Sequence, residues 1–88
     1  MKSYNKTITS TRQVIVAADN INRTVYIHHD ADNEIVYIGG ADVSVANGFH
    51  LHKLDSLSFF IPAQQSLYAI KDGTGDNVEI WVLTPDED

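Results

Sequence analysis

The chain has 88 residues, which is one small domain and too short for a nucleotide-binding unit joined to a substrate domain. Six Lys and Arg stand against twelve Asp and Glu, for a net charge of −6, and the cations do not cluster into the basic stripe that nucleic acid requires. Hydrophobic content of 43% marks a folded chain, and the lack of cysteine excludes disulfides and thiolate metal sites within the sequence.

Residues 1–11 are polar and rich in Ser and Thr. With Arg12, the cations Lys2 and Lys6 make half of all the basic residues, so this segment is expected to be an N-terminal arm that meets an acidic partner surface. The competing expectation is a first strand starting as early as Thr7. The start, Met1 to Lys6, has no apolar run of the kind a signal peptide needs, and no stretch approaches ~18 apolar residues, so no membrane partner is expected.

Alternating segments then recur at Gln13 to Ala17, Thr24 to His29, Glu34 to Ile38, Gly48 to Leu51, Leu57 to Ile61, Leu67 to Ile70 and Val78 to Leu83. They are rich in Val, Ile, Tyr and Phe, and turn-forming runs such as Asp30 to Asn33, Gly39-Gly40 and Asp72 to Gly75 separate them. No window carries apolar residues at helical spacing, and Ala63 to Ser66 is expected to make a single turn. Pro85 ends the last strand before an acidic tail over 85–88. The pattern predicts an all-β fold over 12–84: a small antiparallel β-sandwich or jelly-roll barrel of about 7–8 strands.

Period-two spacing places Val25 and Ile27, then Leu57, Phe59 and Ile61, then Val78, Ile80 and Val82 on core-facing sides. Tyr26, Phe60, Tyr68 and Trp81 fall on the opposite sides, which predicts a second buried surface, with Tyr26, Tyr68 and Trp81 as interface candidates. A domain this small gains little net stability from its own core, so burial between subunits is expected, with a trimer as the favoured oligomer.

His50-Leu51-His52 is the sharpest candidate for chemistry, because two residues apart on a strand put both imidazoles on one face. A metal site needs further ligands, and at the cupin position for a Glu this chain has Ser56, so no metal or cofactor is expected. His28 and His29 are adjacent and point to opposite faces. Asp30-Ala31-Asp32-Asn33-Glu34 lacks the Gly and the distal Glu of a calcium loop and reads as a hairpin turn with Asx bonds from Asp30 and Asp32. Asp72 to Asp76 precedes a strand, unlike a phosphate loop. There is no thiol nucleophile and no nucleophile elbow, and no catalytic residue is assigned.

The run Asn20 to Ile27, then Tyr37-Ile38-Gly39, Val43-Ser44, Gly48 to Leu51 and Leu67-Tyr68-Ala69-Ile70, resembles small virion proteins of tailed bacteriophages across roughly residues 12–83. That resemblance implies a capsid decoration, cement or head-fibre protein made in the host cytoplasm and held on the virion, with the major capsid protein as partner. Two other readings stand beside it. One is a carbohydrate or cell-surface binding module using Trp81, Tyr26, Tyr37 and Tyr68, and the other is a cupin-like metal enzyme using His50 and His52.

Overall fold

The computed structural model describes residues 1–30 and 32–86. Among them are eight strands: β1 (Lys2–Ile8), β2 (Gln13–Val16), β3 (Arg23–His29), β4 (Val36–Gly39), β5 (Phe49–Leu51), β6 (Ser56–Ile61), β7 (Leu67–Ile70) and β8 (Val78–Thr84). The first sheet has the order β1-β8-β3-β6 and the second β2-β7-β4-β5, and every pairing is antiparallel. The architecture is therefore a β-sandwich, as the alternation and turn spacing imply. No helix among the described residues is long and apolar enough to cross a membrane.

Alternation fixes which side of each strand is buried. In β3, Val25, Ile27 and His29 are buried while Thr24 and Tyr26 are exposed, and in β8 Val78, Ile80, Val82 and Thr84 are buried while Trp81 and Leu83 are exposed. The second sheet adds Ile15, Val16, Val36, Ile38, Leu51 and Ala69, so the inner faces of both sheets close over one apolar cluster. Leu57, Phe59 and Tyr4 pack against its margin half-buried.

Two expectations differ from the structure. Residues 1–11 do not stand off as an arm, because Lys2–Ile8 pairs along its whole length with β8, from Lys2 opposite Thr84 to Ile8 opposite Val78. Its polar composition hid the strand: only Tyr4 and Ile8 face the core, and an edge strand tolerates polar residues elsewhere. Residues 30–35 do not close a hairpin, since β3 lies in the first sheet and β4 in the second. The expected Asx bonds are present, with Asp30 Oδ1 accepting from Asp32 N at 2.8 Å and Asp32 Oδ1 from Glu34 N at 2.9 Å. They turn the chain from one sheet to the other instead of back onto its neighbour. Of the acidic tail expected over 85–88, Glu87 and Asp88 lie outside the described residues.

Antiparallel strands divide the connections between two ends of the sandwich. One end gathers residues 9–12, 30–35, 52–55 and 71–77, tied by backbone bonds from Lys71 N to Thr9 O and from Leu54 N to Asp30 O. The other gathers 17–22, 62–66 and Pro85 with Asp86, tied by Gln64 N to Asp19 O and by Arg23 to Asp86.

Candidate assembly surface

The outer face of the first sheet is apolar along its middle. Register places Leu83 beside Tyr26 and Trp81 beside His28 on the two central strands, with Ser58 opposite Tyr26 and Ser56 opposite His28 on β6. Tyr26 is 54% exposed, Trp81 46% and, farther along β6, Phe60 64%. The His28 and Trp81 rings lie 6.4 Å apart, and His28 Nδ1 is 2.7 Å from Ser56 Oγ, which holds the imidazole against the sheet. Tyr26, His28, Ser56, Ser58, Trp81 and Leu83 line a groove of about 560 Å³ whose lining residues include no Asp, Glu, Lys or Arg, and Phe60 lies outside it. In a chain of net charge −6, an uncharged aromatic groove is a face where water is easily displaced.

The aromatic candidates divide between two faces. Tyr26 and Trp81 share the groove, whereas Tyr68 lies on the second sheet opposite Val14 and Gly39, and Tyr37 lies there opposite Ile70 and His50. A single stacking platform of all four residues is therefore excluded by the sandwich itself. His50 and His52 do come together, with ring centroids 5.9 Å apart, but His50 stacks edge-on to Tyr37 at 5.0 Å and His52 faces the Asp55 carboxylate at 3.6 Å. Among the described residues, no three His, Cys, Asp or Glu side chains gather where they could hold a metal ion. Lys2 and Lys6 sit on β1, and Arg12 is exposed in the following connection.

Arg23, His29 and Lys71 take core positions and Tyr4 the core margin, places the sequence reading did not assign to them. Arg23 is 4% exposed and gives Nη1 to Asp86 Oδ2 at 2.9 Å and Nη2 to Ala17 O at 2.7 Å. His29 is fully buried, its Nδ1 2.9 Å from Asp30 O and its Nε2 2.7 Å from Glu34 O. Lys71 donates to Asp72 O at 2.9 Å and Thr74 O at 2.6 Å, with Glu34 Oε1 3.6 Å away. Tyr4 donates to Ile15 O at 2.6 Å, and burial, with the Asp86 carboxylate nearby, pushes its hydroxyl above the ordinary tyrosine value. The signal for Arg23 and His29 was available, since both share the parity of Val25 and Ile27.

No family model matches the sequence, and no curated protein matches it. A solved structure described as Bacillus endospore appendages that form a novel family of disulfide-linked pili is similar in fold, with a TM-score of 0.65 over 92% of this chain and 79% of that one. Identity is 17%, so the likeness is one of fold. The resemblance to phage virion proteins is overturned: the structural match is to a pilus of endospores and not to a virion. The fold explains why that resemblance misled. Ile38 lies opposite Ala69 and Gly39 opposite Tyr68, so Tyr-Ile-Gly and Leu-Tyr-Ala-Ile are adjacent strands of one sheet. A Cβ on Gly39 would come 2.9 Å from Val43 Cγ2, so packing within this sandwich accounts for the glycine. The decoration function falls with the resemblance, and the capsid partner and virion location lose their basis.

Proposed function

We propose that this chain is a non-enzymatic structural subunit that assembles with copies of itself into a surface appendage. The observation that carries the reading is the uncovered groove of Tyr26, Trp81 and Leu83 on the outer face of the first sheet. Each aromatic ring there gains on the order of 2 kcal/mol when a neighbouring subunit removes it from water. The shared sandwich with a pilus protein supports the same reading. This sequence has no cysteine, so contacts made by these 88 residues are noncovalent and depend on concentration.

The test is sedimentation over a wide concentration range, with electron microscopy of the concentrated sample. Growth into long assemblies, reduced at least tenfold in apparent affinity by Trp81→Ser and Tyr26→Ser, is the expected result. A wild-type protein that remains monomeric at every concentration overturns it.

A second reading rests on the groove's chemistry. Exposed rings flanked by Ser3, Ser56 and Ser58, with no charge in the lining, suit a neutral saccharide whose C–H face stacks while its hydroxyls bond. Trp81 is the sole tryptophan, so saturable quenching of its fluorescence by neutral oligosaccharides would favour this reading.

A further inference from the structure

The two sides of the sandwich are closed in opposite ways. On one side lie the edge strands β1 and β2, and on the other β6 and β5. An edge strand is a template for further pairing unless something blocks it, and inward-facing lysines, bulges and covering side chains are the usual blocks. The first side carries all three. Lys2 and Lys6 share the parity of the core-facing Tyr4 and Ile8, and Lys2 Nζ lies 5.9 Å over the Tyr4 ring. β2 shifts register between Val14 and Val16. Tyr4 Oη reaches across to Ile15 O, and Gln13 Nε2 bonds to Thr7 O at 2.9 Å.

The second side has none of these. β6 reads Ser-Leu-Ser-Phe-Phe-Ile and β5 reads Phe-His-Leu, without a Lys, Arg, Asp, Glu or Pro in either. Among the described residues β6 pairs only with β3 and β5 only with β4, and no side chain bonds to the backbone of either edge. Phe49 is 61% exposed and meets Phe59 edge-on at 5.8 Å across the gap between the sheets. A run of this composition on an open edge is a pairing hazard unless covered.

We propose that β6 pairs with β6 of a second copy about a two-fold axis through Ser58. The proposal names the partner at one contact of the self-assembly reading and rests on that reading. Lysines and bonded side chains deny β1 to an incoming β6, whereas two copies of the uncharged β6 meet without repulsion. Antiparallel pairing about Ser58 sets Leu57 opposite Phe59 of the second copy and Ser56 opposite Phe60. Each of those pairs keeps its core-facing or outward-facing parity, so both inner faces join. The first sheet becomes one eight-stranded sheet ending in two lysine-guarded β1 edges. The contact is isologous and closes on itself, so growth beyond the dimer needs the aromatic groove.

The cysteine-free chain makes a direct test possible. Ser58→Cys brings two thiols opposite each other across the axis, and mild oxidation is expected to convert most of the protein to a covalent dimer. Asn5→Cys on the guarded edge is expected to stay monomeric under the same treatment. Phe60→Lys, at an exposed position of β6 outside the groove lining, is expected to weaken dimerisation at least tenfold while the unfolding midpoint of the monomer is unchanged. If the protein assembles but Ser56→Cys, Ser58→Cys and Phe60→Cys all fail to cross-link, the edge contact is overturned and self-assembly stands. If Asn5→Cys/Ser58→Cys yields a ladder that Ser58→Cys alone does not, the pairing is head-to-tail and the two-fold is overturned. Cross-linking of Ser58→Cys together with a wild-type protein that stops at the dimer at every concentration supports the edge contact and overturns the appendage reading.

Discussion

The two ends of the sandwich bury the same kind of side chain under different terms. At the end that gathers 30–35 and 71–77, His29 and Lys71 are buried with a partner for each polar atom: two carbonyls for the ring nitrogens, and two carbonyls and the Glu34 carboxylate for the ammonium. The His29 ring lies between the two carbonyl oxygens, with the Asp30 carboxylate 3.5 Å from Nδ1. At the other end Arg23 meets Asp86 and Ala17, but Arg23 Nε, Asp86 Oδ1 and Thr84 Oγ1 are buried without a hydrogen bond among the described residues. A buried polar group stabilises only when its bonds are complete, and an unpaired donor or acceptor carries its full desolvation cost. The first end is thus expected to fail on substitution, whereas the second leaves room for improvement.

His29→Leu sharpens the comparison most. It roughly keeps the volume but removes the ring nitrogens that contact Asp30 O and Glu34 O at the crossing from β3 to β4, and the expected loss is about 3 kcal/mol. Chemical denaturation measures it, and a loss below about 1 kcal/mol would mean that the first end is not held by its polar bonds. Arg23→Met alone strands the Asp86 carboxylate, which is 21% exposed and so partly hydrated, for an expected loss of about 2 kcal/mol. Arg23→Met/Asp86→Leu removes both charges together and is expected to return close to the wild-type stability. A double variant as weak as the single one would show that the pair earns its place by more than mutual neutralisation.

What was legible in the sequence was whatever repeats with period two. Val25 and Ile27, then Leu57, Phe59 and Ile61, then Val78, Ile80 and Val82 face the core because each pleat reverses the side chain, and Tyr26 and Trp81 face outward for the same reason. Long-range pairing was not legible. β1 is a strand because β8 lies beside it, 70 or more residues later in the chain, and nothing within Lys2–Ile8 states that. The crossing at 30–35 looked like a hairpin because Asx turns serve both purposes, and only the burial of His29 decides between them. The rings of His50 and His52 lie 5.9 Å apart although β5 ends at Leu51, and spacing along the chain cannot report that Tyr37 and Asp55 stand next to them.

Thr84→Val tests the second end with the smallest structural change. Thr84 is fully buried, lies opposite Lys2 on the edge of the first sheet and has no partner for its hydroxyl among the described residues. Valine has the same shape and a higher strand preference, so removing the hydroxyl is expected to raise stability by about 1 kcal/mol. Thermal unfolding reads this as a higher midpoint. A destabilised Thr84→Val variant would mean that the hydroxyl is bonded in solution, and the contrast between the two ends would disappear.

The smallest effect lies at the first end and depends on pH. Asp72 accepts the backbone N–H of Thr74 at 3.1 Å and the Thr74 hydroxyl at 2.9 Å, and these bonds hold its carboxyl below the ordinary value of 3.8. The same turn presents Thr74 O to Lys71, so the exposed carboxylate helps to order the loop that satisfies a buried ammonium. In the unfolded chain the bonds are absent and the group takes up its proton at higher pH. Its stabilising contribution is therefore complete above the unfolded value and declines as pH falls through the lower folded value. Asp72→Asn removes this titration, so its unfolding free energy is expected to fall less steeply than that of the wild type as the solution is acidified below about pH 4. Parallel profiles through that window would show that the Thr74 bonds do not favour the ionised carboxyl, and that the turn is held by Lys71 from within.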